Sequence, residues 1–421
     1  METQVEIQPR ERLGLEERTS ILSGKAIAEA FVGAKQHDYS EVISSVLGDA
    51  AVQKIWKVAC AKPPKAGYFP HYVPTGTTDY VYEPSGWWTA GFFPGSVWLL
   101  YERSLKRRLS VTSEQLLQAG RKWEVDLEKE KYNTTTHDLG FMIMPAFYRD
   151  YVLTGNKHNR EVVLQAAKSF ATRWSEKVQC IRSWDSTSTK VYTYPSKETD
   201  FLVIIDNMMN LDLLYVASEL SGNPKYARIA TTHAETTLKH HIRPDNSTYH
   251  LIVYDPNSGA VKARLTHQGY AHESTWSRGQ AWALYGYATV FKYTRDSKFL
   301  DASIRLTDYF LSRVGPDGVV YWDFDAPKPA PWDISAAMIA CSGMLLLCEL
   351  KPELRTMYLP RVFSMLEACT TGALSRGDSI LDHATINNYE HSHNRLADSG
   401  LVYADYYFIE VGNRLIDMGL V

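Results

Sequence analysis

Apolar residues recur every three or four positions over 170–174, 208–217 and 281–291, the period of a helix that buries one face or more. Long period-two alternation is scarce. The short stretch at 249–254 predicts a local hairpin at most. A slower rhythm overlies the helical one, in which a helix ends in a small polar turn and a second helix starts soon after. Residues 154–157 read Thr-Gly-Asn-Lys and residues 221–224 read Ser-Gly-Asn-Pro. Each places glycine where a left-handed residue ends a helix, and the second adds proline at a helix start. Residues 294–297 and 350–352 resemble them more loosely. The turns lie roughly 50–75 residues apart, enough for two helices and a longer loop. Solenoid repeats are shorter, ~30–45 residues, and more alike. The spacing therefore predicts an all-α toroid of helical hairpins, a single domain over 21–421 behind a solvated lead-in over 1–20. In a toroid the longer loops gather on one face, and chemistry is to be sought there.

Composition narrows the partners. The 421 residues carry a formal charge of -3, with 45% hydrophobic and 22% charged positions. Near-neutral charge argues against a phosphate-tracking nucleic-acid binder. No apolar run approaches the ~20 residues of a bilayer span, so no membrane association is expected. The longest candidate, 338–348, predicts a buried helix. The first 20 residues are charged and lack the apolar core of a secretory signal. Five cysteines are scattered without a Cys-x-x-Cys pair. Reduced thiols and a cytoplasmic location are the expectation. Aromatic residues are the surplus, with 11 Trp, 26 Tyr and 14 Phe.

Three segments concentrate polar and aromatic side chains at predicted helix starts. Asp138 follows a threonine run and precedes the apolar stretch 141–147. Asp206 ends another apolar stretch and is followed by Asn207 and Asn210. Either aspartate alone reads as a helix cap. Together, at matching hairpin starts, they form a carboxylate pair of the sort sugar chemistry uses, one holding a proton while the other stays ionised. The third segment packs Gln268, Trp276, Arg278 and Trp282 into one run. Indole faces stack on sugar rings, while Arg and Gln supply donors to carboxylate and hydroxyl oxygens. Trp88 heads another predicted helix and suits a pocket wall; Trp98 suits the core. His240-His241 and the pair His391 and His393 lack any metal-binding motif around them, so solvated surface positions and no metal or other cofactor are expected. There is no phosphate-binding loop, dinucleotide fingerprint or nucleophile elbow.

In combination these segments resemble glycoside hydrolase family 88, the unsaturated glucuronyl hydrolases. The resemblance runs from about residue 85 to 412. It rests on His137-Asp-Leu-Gly-Phe141, Ile205-Asp-Asn-Met-Met-Asn210, His267-Gln-Gly-Tyr270, Ser274-Thr-Trp-Ser-Arg-Gly-Gln-Ala-Trp282, Trp322-Asp-Phe-Asp-Ala326, Trp332-Asp-Ile-Ser-Ala-Ala337 and Asp405-Tyr-Tyr-Phe-Ile-Glu410, in that order. It implies an (α/α)6 barrel and a substrate ending in a 4-deoxy-hex-4-enuronic acid, the sugar that polysaccharide lyases leave. The implied reaction is hydration of the C4=C5 vinyl ether, not attack at the anomeric carbon. By motif position Asp206 matches the general acid/base and Asp138 the second essential aspartate. His137, His250, Gln268, Arg278 and Trp282 match residues lining the uronate site, with Trp88 and Trp276 as stacking walls. A net-acidic chain binding an acidic sugar needs local positive charge, and Arg278 is the best candidate. Two positions depart from the pattern: His272 replaces a frequent acidic residue, and Phe93 a frequent Trp. No Ser-x-Ser-x-Lys arrangement of the kind tied to sulfate recognition occurs. Two other readings compete: the related unsaturated rhamnogalacturonyl hydrolases, acting on pectin fragments, and a non-catalytic carbohydrate-binding toroid.

Overall fold

The computed structural model describes residues 39–421. The boundary expected at residue 20 lies outside the described residues. Helices α1 (Ser40–Leu47) and α2 (Asp49–Cys60) lead to α3 (Phe92–Ser104) and α4 (Ser113–Glu124). Helix α5 is composite: Leu139–Ile143, a π-helical turn Met144–Tyr148, and Arg149–Thr154. There follow α6 (Lys157–Ala171), α7 (Asn207–Ser221), α8 (Pro224–His240), α9 (Ser277–Thr294) and α10 (Ser297–Arg313). Helices α11 (Ile334–Leu350), α12 (Arg355–Gly372) and α13 (Val402–Asp417) end the series.

Helices α3, α5, α7, α9, α11 and α13 pack side by side in that order, and α13 closes back on α3. The intervening helices form an outer layer, with α1 and α2 covering α13 and α3. This is an (α/α)6 barrel, as the hairpin rhythm and the resemblance both predict. Sequence dictates which helices go inside. Every residue of α9 from Ser277 to Phe291 and of α11 from Ile334 to Cys348 is buried. Such helices, buried all round, have no face to offer water. Outer helix α10 instead buries one stripe: Phe299, Ala302, Ser303, Leu306, Thr307 and Phe310. The hairpin turns form as expected. Gly155 and Gly222 take left-handed φ values of 76° and 68°. Asn156 and Asn223 then cap the next helices through His158 N and Lys225 N, and Pro224 occupies the first turn.

The long connections enter the N-terminal ends of the inner helices and carry short strands. Phe201–Ile204, Leu251–Tyr254 and Val261–Leu265 form an antiparallel sheet. Gly400–Leu401 joins Tyr68–Val73 and Val81–Pro84 in a second. One expectation fails here. His241 is fully buried, not a solvated surface residue, and its Nε2 lies 3.1 Å from the Val203 carbonyl oxygen. It fastens the end of α8 to the sheet, a long-range contact that its neighbours in sequence do not advertise. His240 is half-buried. No helix among the described residues is long and apolar enough to cross a membrane.

Candidate active site

The N-terminal end of each inner helix contributes to one mouth of the barrel. Trp88 precedes α3, Asp138 precedes α5 and Asp206 precedes α7. Trp276 and Arg278 open α9, Asp333 caps α11, and Tyr403 sits in the first turn of α13. Both predicted aspartates occupy N-cap positions, yet neither side chain caps its helix. Capping needs an extended backbone. Asp138 has φ/ψ of -80°/11° and Asp206 -54°/-29°, which turns both carboxyls away from the helix N–H groups.

The two helices behind them approach closely. A Cβ on Gly140 would lie 2.6 Å from both Cα and Oδ1 of Asn210, so glycine is required for this contact. Asn210 Oδ1 also accepts from Phe141 N at 2.9 Å. Asp138 is thereby held beside α7. Its Oδ2 accepts from Thr136 Oγ1 at 2.5 Å, and its Oδ1 lies 3.3 Å from His137 Nε2. His137 itself is fully buried.

Asp206 is a buried acid. Burial raises its pKa to about 7, and nearby Asp138 adds to the rise, while Arg278 and a backbone N–H oppose it. Its Oδ2 has no hydrogen-bond partner and lies 3.8 Å from His250 Nε2. The tautomer of His250 follows from its other nitrogen, since Nδ1 accepts from the backbone N–H of His267 at 3.0 Å. A backbone N–H is an obligatory donor, so the imidazole proton sits on Nε2. Burial, with His267 and Arg278 nearby, holds the His250 pKa well below its ordinary value. His250 therefore presents a neutral N–H beside the acid.

Arg278 is 1% exposed and its guanidinium is bound by protein acceptors. Nη1 donates to Asp333 Oδ2 at 2.8 Å and to Thr385 O, and Nη2 donates to Ile386 O at 2.6 Å. Its positive charge is thus matched by a buried carboxylate. Gln268 Nε2 donates to the same Ile386 carbonyl at 2.9 Å. Trp276 is sandwiched, with its ring centroid 4.5 Å from that of His250 and Arg278 Cζ 4.5 Å over its face. What it offers the site is its indole Nε1, which has no partner. Trp282 is fully buried against Phe141 at 5.0 Å, with its Nε1 likewise unpartnered. Trp88 is half-buried and borders Tyr403 at 4.9 Å.

The structure therefore joins Asp206, His250, Trp276, Arg278 and Gln268 into one contact network, sets Asp138 and His137 beside it, and places Trp88 at its edge. Sequence reasoning missed Tyr403, Asp333 and the 385–386 carbonyls. Tyr403 is buried, its hydroxyl has no partner, and Arg278 Cζ lies 5.5 Å from its ring. Asp333 stands in a Trp-Asp-Ile-Ser motif that reads as an ordinary helix cap, and it does cap α11 as well. Trp184 was also missed; it meets His267 edge-on at 5.1 Å. Buried polar atoms are nearly always paired, and leaving one unpaired costs ~1–3 kcal/mol. Asp206 Oδ2, His250 Nε2, Trp276 Nε1, Trp282 Nε1 and the Tyr403 hydroxyl all lack a close partner in one region, with Trp282 acting on Asp206 and Ser335 on Tyr403 only from longer range. Such an array suits a ligand dense in oxygen atoms. Among the described residues, no cluster of His, Cys, Asp or Glu could hold a metal ion.

An (α/α)6 barrel that gathers aspartates and tryptophans at the inner-helix starts has side chains suited to binding sugars. Similarity to known proteins narrows the class. No family model matches the chain. It is 39% identical over 339 residues to the unsaturated glucuronyl hydrolase of Formosa agariphila, covering 79% of this chain and 80% of that protein. It is 30% identical over 356 residues to the unsaturated chondroitin disaccharide hydrolase of Streptococcus pneumoniae, covering 82% and 86%. A crystal structure of an unsaturated glucuronyl hydrolase specific for heparin superposes with a TM-score of 0.78 at 32% identity, covering 90% of this chain and 98% of that one. The chain belongs to the unsaturated glucuronyl hydrolase family.

Proposed function

We infer that this enzyme removes the terminal 4-deoxy-hex-4-enuronic acid from lyase-generated oligosaccharides by hydrating its C4=C5 bond. The observation that carries this reading is Asp206: a buried carboxyl with a pKa of about 7, an unpartnered oxygen, and a neutral His250 N–H facing it. An acid of that strength is half protonated near neutrality and can still give its proton away.

Protonated Asp206 delivers its proton to C4, and positive charge develops at C5 and the ring oxygen. The carboxylate left on Asp206 then takes a proton from the water that adds at C5. The resulting hemiketal opens, C1 expels the aglycone as an alcohol, and one water is consumed overall. Asp138 orients the sugar and adds through its charge to the effect of burial on the Asp206 pKa. His137 and Gln268 line the uronate, His250 steadies the developing Asp206 carboxylate, and Trp88 is an apolar wall. Trp276 and Trp282 contribute indole N–H donors. Arg278, balanced by Asp333, holds the acidic sugar without a strong net field, so Asp206 is not driven to ionise.

The test is turnover in D2O of a lyase-generated disaccharide, followed by loss of the enoate absorbance and by NMR of the product. Deuterium should appear at C4. Absence of deuterium from C4 would refute hydration. A panel of chondroitin, heparin, hyaluronan, gellan and rhamnogalacturonan lyase products assigns the preferred parent chain, and turnover confined to the last would favour the pectin-directed class. Saccharide binding without turnover across the panel would point to the non-catalytic toroid.

A further inference from the structure

On the flank of the same barrel mouth, beyond α8, lies a groove of about 640 Å³. Its lining includes Lys239, Arg243, Arg264 and Arg305, together with Asn246 and Tyr249, while two carboxylates border it: Glu273, which accepts from Tyr249 Oη at 3.0 Å, and Asp245, beside Arg243. Four permanent cations in one groove are a marked local excess on a chain whose net charge is -3. The groove adjoins the catalytic region through its backbone. Tyr249 precedes His250, and Arg243 Nη2 donates to the carbonyls of His272 at 3.3 Å and Ser274 at 3.1 Å, in the loop that carries Gln268 and Trp276.

Arg243 is built into the wall. Its Nη1 donates to Ser247 Oγ at 3.1 Å and Thr248 O at 2.9 Å, and its side chain is 10% exposed. Its buried Nε has no hydrogen-bond partner; the nearest carboxylate oxygen, on Glu273, is 3.9 Å away. A guanidinium pinned by four protein acceptors is a preorganised positive centre beside the groove. Arg305 is exposed and is tied to the groove by its Nε, which donates to Asn246 Oδ1 at 3.2 Å. Lys239 and Arg264 are exposed and have no ion-pair partner among the described residues. The local field registers on His240, whose pKa is lowered by burial and then by Lys239 and Arg264.

We propose that this groove is a second binding site for the acidic polysaccharide chain from which the substrates are cut, taking its sulfate or carboxylate groups apart from the terminal-uronate pocket. The choice of glycan rests on the function inferred above. Nucleic acid fits less well, because single-stranded sites stack bases on open aromatic faces, whereas Tyr249 is already covered by Arg243 at 3.9 Å.

Fluorescence anisotropy of a labelled, size-defined chondroitin sulfate chain with a saturated non-reducing end tests the site directly. That chain cannot be turned over. Hyaluronan and single-stranded DNA of matched charge serve as separate probes. Saturable, salt-weakened binding of the sulfated chain is expected, reduced by about tenfold or more in Arg264→Glu/Arg305→Glu. Disaccharide turnover by the same sample should be unchanged, which separates failure of this site from failure of the catalytic reading. Binding of hyaluronan as well would assign the recognition to carboxylates; binding of chondroitin sulfate alone would assign it to sulfate. If the double variant does not fold, exposed Lys239→Glu provides the same readout. Absence of glycan binding at low salt, binding that survives charge reversal, or equal affinity for DNA would overturn the proposal.

Discussion

Asp206 and Asp405 are two buried aspartates at the inner-helix starts, and burial pushes both to a pKa of about 7. Their surroundings differ. Asp405 is saturated with donors: Tyr80 Oη at 2.7 Å and Ile380 N at 2.9 Å to Oδ2, and Leu381 N at 3.0 Å to Oδ1. It clamps the 375–381 loop. Close by, Lys54 Nζ donates to the carbonyls of Ser375, Gly377 and Ser379. Asp206 Oδ2 makes no close hydrogen bond, and only the Trp282 indole N–H acts on the carboxyl from longer range. A raised pKa alone does not separate a structural from a chemical carboxyl; the unfilled hydrogen-bonding capacity does.

The comparison breaks most visibly in turnover. Asp206→Asn should lower kcat by ~10² or more, the usual worth of a general acid, while Asp405→Asn leaves kcat per folded molecule near the parent value. Steady-state assays corrected for folded fraction read both.

Stability should then separate the two variants at low pH. In the folded state Asp206 holds its proton up to about pH 7, against 3.8 for the ordinary group. The folded protein thus binds more protons than the unfolded chain between those values, and this group's contribution to stability falls as pH rises through that window. Asp206→Asn escapes that loss. It should be more stable than the parent by roughly 2–4 kcal/mol at pH 8 and about equal to it at pH 4. Asp405→Asn escapes the same loss at high pH but sets an amide NH2 against backbone N–H donors, so it should cost ~1–3 kcal/mol at pH 4 and stay less stable than Asp206→Asn at both pH values. Thermal unfolding at the two pH values measures all four quantities.

Gly140→Ala tests the contact that brings α5 to α7. The new Cβ meets the Asn210 backbone, and overpacking of this kind costs ~1–3 kcal/mol. Because Asp138 is two residues away, kcat should fall as well, and denaturant unfolding with parallel kinetics separates the two effects. Trp88→Ala should have the smallest effect, raising KM several-fold (~1 kcal/mol of apolar contact) with kcat nearly unchanged.

The two aspartates also mark how far sequence reasoning reaches. The barrel was legible because its signals are local: glycine and proline in the hairpin turns, and a buried run such as 338–348. Asp138 and Asp206 stood out because each follows a polar or apolar transition at a helix start. The roles of their neighbours were not legible, because long-range pairing sets them. Arg278 reads as a free cation until Asp333 and the 385–386 carbonyls, 55 to 108 residues away, arrive to bind it. His241 reads as surface until Val203 closes over it. Tyr403 lies in a tyrosine-rich run whose helical phase alone decides which ring reaches the site.

The most direct test is a ¹³C-carboxyl NMR titration of the aspartates, with the Asp206 resonance assigned by its loss in Asp206→Asn. The resonance should titrate with a midpoint near pH 7. A midpoint near 4, leaving Asp206 ionised throughout the working range, would contradict its role as the proton donor.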